Sequence, residues 1–229
     1  MKTRLLVAAG GMGTRLGLGG PKALVEIAGK PMLVRTLERF TGLGLLNDAI
    51  IVVPGGHEAA FEQVLTAAFP NSRFTLTPGG PERQMSVSNG LEKLPTGTEI
   101  VVIHDAARPF VTETSIRSSI KAAQADGAAT VAIPSIDTIL RGDSDAYLVD
   151  TPARQTLWAC QTPQTFQVDV IRRAHDSARR DGYVGTDDAS LVRRAGGRVK
   201  LVMGSPLNFK ITTPTDLALA QCVVNEGLA

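Results

Sequence analysis

The 229-residue sequence has few of the residues that build zinc sites and disulfide frameworks. Its two cysteines, Cys160 and Cys222, form no CxxC pair, and its three histidines are scattered along the chain. Zinc ligands recur at short, regular spacings, so this pattern excludes a structural zinc site. We expect both thiols to be reduced.

A strong charge of one sign is also missing. The chain carries 24 basic and 22 acidic side chains, a formal net charge of +2, without a long run of like charges. This balance excludes the basic surfaces of nucleic-acid-binding proteins and polybasic membrane anchors, so we expect neither nucleic acid nor a membrane as a partner. The apolar stretch after residues 1–4 is too short for a signal peptide or a membrane span, which predicts a cytoplasmic protein.

Aromatic residues are scarce, at 4% of a chain that is 43% hydrophobic, so the core must consist mainly of Val, Ile, Leu and Ala. The length predicts one large α/β domain spanning residues 1–229. Short apolar runs alternate with amphipathic stretches, which predicts a largely parallel sheet with helices on both faces. These runs are residues 5–8, 50–53, 100–103, 130–133 and 199–203.

Proline, threonine and glycine mark several predicted boundaries. Pro31 is expected at the first position of a helix, and a second helix near residues 112–124 should stop at Gly127. Strand-like pieces at 138–140 and 147–149 flank the turn-rich stretch 142–145, which predicts a β-hairpin arm. A hairpin this short is marginally stable alone, so we expect the arm to pack against another surface, such as a second subunit.

A glycine-rich loop follows the first apolar run, at residues 9–13, and Arg15 and Lys22 come soon after it. Glycines let backbone N–H groups approach phosphate oxygens, and ligands of open parallel sheets bind beyond the carboxyl ends of the strands. Counting from Gly11, Leu16 breaks the GxGxxG fingerprint of dehydrogenases, and no GKS or GKT of a P-loop follows. The loop could be a purely structural turn, but the two cations favour a triphosphate ligand.

Acidic residues at two other places suit a phosphate site. Asp105 ends a buried strand, where a carboxylate is costly unless it is paired, capped or bound to a metal. Next to a triphosphate it would suit Mg²⁺; the alternatives are a salt bridge to Arg108 or a helix cap. Thr186 precedes two aspartates; this pattern suits a ligand contact, and helix capping alone is the alternative explanation. Lys210 adds a cation after the last apolar run.

Taken in order, these motifs resemble the methylerythritol-phosphate cytidylyltransferase family over essentially the whole chain. Each motif is unspecific alone, whereas the ordered set is specific. The resemblance rests on the loop at 9–17 with Arg15, Pro21-Lys22, residues 79–87, His104 to Pro109, Asp137-Thr138, Thr162 to Gln164, Thr186-Asp187 and Asn208 to Thr212. The sequence departs from the family's usual pattern at Gly10, Ala23 and Met85, which leaves the local contacts of those positions open.

The resemblance implies a nucleotidyltransferase variant of the doubly wound, Rossmann-like fold, with a mostly parallel sheet and a protruding β-hairpin arm. It implies a homodimer in which residues 137–157 form the dimerisation arm. The implied reaction transfers CMP from CTP to 2-C-methyl-D-erythritol 4-phosphate with Mg²⁺ and releases pyrophosphate, in isoprenoid precursor synthesis. Ribitol 5-phosphate is the alternative acceptor, although His104 to Arg108 favours methylerythritol phosphate. A non-catalytic nucleotide-binding module is the alternative outside enzymes.

The resemblance also implies a role for each matching residue. Arg15 and Lys22 would stabilise the α-phosphate and the leaving pyrophosphate, and Arg154 and Lys210 would position the acceptor. The implied nucleotide contacts are Ala9, Gly10, Gly11, Gly13, Gly80, Ser86 and Ala106. The implied acceptor contacts are Asp105, Arg108, Thr138, Arg154, Thr162, Thr186 and Lys210. Asp105 would also hold Mg²⁺, and Thr138 and Arg154 would come from the other subunit's arm.

Overall fold

The computed structural model describes residues 1–17 and 19–229, and these form a seven-stranded sheet with helices on both faces. Two pairs of short strands lie outside that sheet. The strands are β1 (Thr3–Ala8), β2 (Glu26–Ile27), β3 (Lys30–Pro31), β4 (Ala49–Val53), β5 (Phe74–Pro78), β6 (Ile100–Asp105), β7 (Ala128–Pro134), β8 (Arg141–Gly142), β9 (Leu148–Asp150), β10 (Trp158–Gln167) and β11 (Lys200–Met203). The helices are α1 (Met32–Thr41), α2 (Glu58–Ala68), α3 (Arg83–Glu92), α4 (Glu113–Asp126), α5 (Val168–Arg180), α6 (Asp188–Arg194) and α7 (Pro214–Asn225).

The main sheet has the strand order β11-β7-β10-β6-β1-β4-β5. Every neighbouring pair is parallel except those of β10, which runs antiparallel to both β6 and β7. The chain moves outward from β1 through β4 to β5, and then β6 returns to the other side of β1. The strand order therefore reverses between β1 and β6, the position at which open α/β sheets bind their ligands. The predicted mostly parallel α/β fold is confirmed.

The two faces of β1 show how the core is divided. Leu5 and Val7 point into a cluster that contains residues of α1, α2 and α4, whereas Leu6 points into a cluster with residues of α3, α5 and α6. All three side chains are fully buried, as expected for a central strand covered on both faces. Among the described residues, no helix has the length and apolar character that crossing a membrane requires.

Two strands of the sheet escaped the sequence prediction. The edge strand β5 has a largely exposed or half-buried pattern instead of a continuous apolar run. In β10, most buried positions are polar, including Gln161, Thr162 and Gln164. These side chains are satisfied by hydrogen bonds; for example, the Gln164 Nε2 donates to Thr130 Oγ1 at 3.0 Å. A search for apolar runs misses strands of both kinds.

The predicted start of the first helix and both predicted strands of the arm are displaced along the chain. Pro31 is the residue before α1 instead of its first residue, because its extended backbone pairs with Glu26 in the small β2-β3 sheet. The arm's first strand is β8, not residues 138–140, and the second begins at Leu148. The Asp143 carboxylate accepts from the backbone N–H groups of Asp145 and Tyr147, so the turn lies further along the chain than predicted.

Candidate functional site

A cleft of about 270 Å³ opens at the carboxyl ends of β1 and β6. Its walls are the glycine loop after β1, the turn before α3 and the residues that follow β6, with Lys210 from the segment before α7. The lining residues are Ala8, Ala9, Gly10, Gly11, Arg15, Lys22, Ala23, Gly80, Pro81, Glu82, Arg83, Ser86, Asp105, Ala106, Ala107 and Lys210.

The glycine loop folds tightly enough to bring two cations to the cleft. Gly13 has a φ of 68°, and a Cβ there would lie 3.1 Å from the Lys22 Cβ, so this position requires glycine. The Lys22 backbone N–H donates to the Gly11 carbonyl at 2.9 Å, which closes the loop. A 3₁₀ turn over Thr14–Leu16 directs Arg15 to the same cleft.

The opposite wall is formed by the turn that leads into α3. A Cβ on Gly80 would lie 2.6 Å from the Met85 Cβ, so the backbone can turn here only at glycine. The Gly80 N–H donates to the Ser86 Oγ at 3.0 Å, and this bond ties the turn to the first turn of α3. Both walls of the cleft therefore present fixed backbone next to charged side chains.

Asp105 lies at the centre of the charged part of the cleft. Its Oδ1 accepts from Arg83 Nε at 3.2 Å and its Oδ2 from Lys210 Nζ at 2.7 Å. Burial alone would raise the pKa of this carboxyl, but the Arg83 and Lys210 charges outweigh burial and hold the pKa well below its usual range. Asp105 is therefore ionised, and its partners are these two cations instead of a salt bridge to Arg108.

The surroundings of Lys22 change how readily it keeps its charge. Burial lowers its pKa to about 8, and the nearby Lys210 and Arg15 contribute to this lowering against the opposing effect of Asp105. The cleft holds the cations Arg15, Lys22, Arg83 and Lys210, and its carboxylates are Asp105 and Glu82. An anionic ligand would relieve the repulsion among these cations.

A hydrogen-bond chain behind the cleft fixes the end of β6. The Asp105 N–H donates to Thr162 Oγ1 at 3.1 Å, and that hydroxyl lies 2.9 Å from His104 Nδ1. The His104 Nε2 lies 3.0 Å from the Arg108 carbonyl, an acceptor, so the ring proton is on Nε2 and Thr162 donates to Nδ1. Burial lowers the pKa of His104 to about 4, so the ring is neutral and serves as a support.

The cleft collects most of the sequence-predicted nucleotide residues. Those that line it are Ala9, Gly10, Gly11, Gly80, Ser86 and Ala106, together with Arg15, Lys22, Asp105 and Lys210. Gly13 lies directly behind Lys22. The structure thus brings together residues from the first strand and from the segment before the last helix.

The remaining sequence-predicted residues lie outside the cleft. Arg108 donates to the carbonyls of Asn208 and Cys160, and Arg154 donates to the Ile136 carbonyl at the base of the arm. Thr138 and Thr186 are exposed, and Thr162 supports β6 as described above. Asp187, not Thr186, caps α6, because its side chain accepts from the Ser190 N–H.

Sequence reasoning missed two charged residues that the structure connects to the cleft. Arg83 lines it and bonds both Asp105 and Asp188, and Asp188 is 1% exposed. Arg83 lies within a motif identified above, and Asp188 is the second acid of the pair after Thr186. The sequence does not distinguish an arginine that bridges two carboxylates from one on the surface, because Arg83 and Asp188 are 105 residues apart in the chain.

The carboxylates of the cleft can hold a magnesium ion only when a bound phosphate supplies further ligands. Among residues 1–17 and 19–229, no group of three His, Cys, Asp or Glu side chains could hold a metal. Mg²⁺ commonly takes one or two carboxylates and obtains its other ligands from substrate phosphates and water. Asp105 has the hard oxygen atoms that such a site needs, so it can be a protein ligand in a nucleotide-bound complex.

Comparisons with known proteins agree over nearly the full chain. Residues 3–226 match the family model described as 2-C-methyl-D-erythritol 4-phosphate cytidylyltransferase, IspD. A protein of that name from Caldanaerobacter subterraneus subsp. tengcongensis is 43% identical, and the match covers 99% of this chain and 100% of the relative. Another, from Geobacillus kaustophilus, is 41% identical, and the match covers 100% of both chains. The crystal structure of the enzyme of that name from Thermus thermophilus superimposes with a TM-score of 0.81 at 34% identity, covering 98% of this chain and 100% of that one. A 4-diphosphocytidyl-2C-methyl-D-erythritol synthase from Anaerococcus prevotii gives a TM-score of 0.86 at 27% identity, covering 98% of each chain.

The Thr162 hydroxyl provides a test of how the cleft is supported. Replacing Thr162 with valine leaves the buried Asp105 N–H and the His104 Nδ1 without partners, which should lower the free energy of unfolding by about 1–3 kcal/mol. Thr162→Ser keeps the hydroxyl and should recover most of that loss. Denaturant unfolding of the three proteins measures the difference, and equal stability of the valine and wild-type proteins would contradict this support.

Proposed function

The chain belongs to the 2-C-methyl-D-erythritol 4-phosphate cytidylyltransferase family and is therefore a cytidylyltransferase, and we propose that its cleft is the place where CMP passes from CTP to 2-C-methyl-D-erythritol 4-phosphate. The products are 4-diphosphocytidyl-2-C-methyl-D-erythritol and pyrophosphate, and the reaction serves isoprenoid precursor synthesis. The observation that supports this location of the reaction is that Arg15, Lys22 and Lys210 line the same cleft as Asp105, next to the glycine loop. Both substrates are highly charged metabolites, and we place the reaction in the cytoplasm.

The acceptor needs no general base in this reaction. Its phosphate oxygen is already an anion at neutral pH and can attack the α-phosphorus of CTP in line with the leaving pyrophosphate. The main obstacle is repulsion between the two anions, so the protein must screen charge and align the reacting atoms. In agreement with this requirement, no histidine is among the described residues that line the cleft, and the one serine, Ser86, is bonded to the turn at Gly80.

The cations of the cleft suit that task. At about 4 Å and an effective dielectric constant near 20, one pair of unit charges is worth roughly 4 kcal/mol before desolvation. We assign Arg15 and Lys22 to the triphosphate, since both follow the glycine loop, and we assign Lys210 to the acceptor phosphate. Lys210 lies 2.7 Å from Asp105 in the free protein, so it is held ready beside the nucleotide site.

Magnesium is proposed as the cofactor. Asp105 would hold it, and when bound it would supply positive charge to the phosphate oxygens. The chain's own residues prepare this site: Arg83 and Lys210 keep Asp105 ionised, and Thr162 fixes the backbone from which it projects. The backbone of Gly80, Ser86 and Ala106 is assigned to the cytidine.

We also propose a homodimer in which residues 137–157 are the dimerisation arm. Several apolar side chains of the arm are exposed: Ile136 just before it is 83% exposed, Tyr147 73% and Leu148 62%. Exposed apolar patches of this kind mark interaction surfaces. In the dimer, Thr138 and Arg154 would reach the partner's acceptor site, which explains why they lie away from the cleft of their own chain.

The acceptor assay tests the proposed function directly. Pyrophosphate release is measured with CTP and either methylerythritol phosphate or ribitol 5-phosphate, and we expect turnover with the first. Lys22→Ala should lower it by at least about a hundredfold, since one well-placed charge stabiliser is worth roughly 3 kcal/mol. Turnover with ribitol 5-phosphate alone would contradict the assigned acceptor. Full activity of Lys22→Ala would indicate that the cleft is not the catalytic site.

The lowered pKa of Lys22 predicts a pH dependence of CTP affinity. The free protein loses the Lys22 proton as the pH rises through about 8, whereas bound triphosphate favours the charged form. Between pH 7 and 8, the affinity for CTP measured by calorimetry should therefore fall by no more than about twofold. Above pH 8 it should fall by up to about tenfold for each pH unit. Arginine stays charged in this range, so Lys22→Arg should remove the decline. An identical decline in that variant would assign the titration to another group.

The arm is tested by the mass of the protein in solution. Leu148→Asp places a charge within the exposed apolar surface, and sedimentation should show a dimer for the wild type and a shift towards monomer for the variant. Leu219→Asp in α7 is the control, because Leu219 is 50% exposed and lies outside the arm. A wild-type monomer, or equal dissociation of both variants, would rule out the assigned interface.

A further inference from the structure

Arg83 joins the cleft to a buried carboxylate outside it. Its Nε donates to Asp105 Oδ1 at 3.2 Å and its Nη1 donates to Asp188 Oδ2 at 2.7 Å, so one guanidinium holds two carboxylates. Asp188 opens α6 and does not line the cleft. The contact therefore connects the nucleotide side of the site with the segment that begins α6.

Asp188 is itself held firmly. Its Oδ1 lies 3.1 Å from His175 Nε2, and its backbone N–H donates to Gln164 Oε1 at 3.0 Å. Burial would raise the pKa of its carboxyl, but the Arg83 charge outweighs this and keeps the pKa below the usual value. Asp188 is thus an ionised, buried group with fixed orientation, and the reaction described above makes no use of it.

We propose that Asp188 is a positioning residue for cytidylyl transfer, acting through Arg83 on Asp105. This inference rests on the proposed function. Without Asp188, one edge of the Arg83 guanidinium has no anionic partner, and the guanidinium can turn to take both oxygens of Asp105 in a two-pronged pair. Lys210 would then lose its place on Asp105 Oδ2, and the alignment of the acceptor phosphate would suffer.

Arginine is required at position 83 for a geometric reason. The planar guanidinium presents donors on separate edges, so Nε and Nη1 can serve two carboxylates at once. A lysine keeps the positive charge but has a single ammonium group at the end of a flexible chain. Arg83→Lys therefore keeps the positive charge but removes the bridge between Asp105 and Asp188. In that variant Asp188 can no longer act on Asp105 through residue 83.

The competing explanation is that Asp188 only ties α6 to α5, through its contact with His175. A purely structural carboxylate would lower stability when removed, and its effect on turnover would be the same whether or not Arg83 is present. A positioning carboxylate loses its effect on turnover once Arg83 can no longer bridge. A double-mutant cycle distinguishes the two, because it measures whether two changes act independently.

The experiment measures kcat and KM for CTP and methylerythritol phosphate in wild type, Asp188→Asn, Arg83→Lys and the double variant. We expect Asp188→Asn to lower kcat about tenfold, the worth of one charge-assisted hydrogen bond, with KM for CTP within about threefold of wild type. In the Arg83→Lys background the same change should alter kcat by less than about threefold. Asp181→Asn, which removes an exposed partner of Arg194, is the matched control and should leave kcat unchanged.

The outcomes separate this inference from the proposed function. A tenfold loss in both backgrounds, or no loss in Asp188→Asn alone, would overturn the role of Asp188 in an enzyme that still turns over CTP. A wild type without activity would overturn both. If circular dichroism shows that Asp188→Asn is unfolded, Asp188→Glu takes its place in the cycle, since it keeps the charge and displaces the carboxylate by one methylene group.

Discussion

The site depends on one physical requirement: the buried, ionised carboxylate of Asp105 must be paired with positive charge. An ionised aspartate at the end of a central strand is tolerable only because Arg83 and Lys210 contact its two oxygens and Thr162 satisfies its backbone N–H. Each of these groups comes from a different part of the chain. Keeping Asp105 paired therefore also fixes the relative positions of α3, β10 and the segment before α7.

The antiparallel strand β10 has a special place in this arrangement. It lies between β6 and β7, and its polar residues replace the apolar ones that a central strand would normally contribute. Thr162 supports the end of β6, while Gln164 accepts from the backbone at the start of α6. The strand thus connects the nucleotide cleft with the buried Asp188 through hydrogen bonds that an apolar strand could not make.

Much of the fold was predictable because apolar runs and glycine signals report local structure. The five runs became β1, β4, β6, β7 and β11, and the helix between Thr112 and Gly127 has the expected ends. The strands β5 and β10 were missed because an edge strand and a hydrogen-bonded polar strand lack that signal. The arm's strands were misplaced because the Asp143 side chain decides where the turn forms.

The candidate site was predictable to the extent that its residues follow strands. Residues after β1 and β6 meet at one edge of the sheet, because parallel strands bring their carboxyl ends together. The pairing of Asp105 with Arg83 instead of Arg108 could not be read from the sequence. It depends on how α3 packs against the sheet, and an arginine close in sequence gives no indication of which carboxylate it contacts.

The central claim is that this cleft binds the triphosphate of CTP between the glycine loop and Asp105. A crystal structure of the protein with CTP and Mg²⁺ tests it most directly. We expect triphosphate oxygens within about 3.5 Å of the Lys22 Nζ and the Arg15 guanidinium, and cytosine against the turn at Gly80. A triphosphate bound elsewhere, with Lys22 and Arg15 both free of phosphate contacts, would contradict the account.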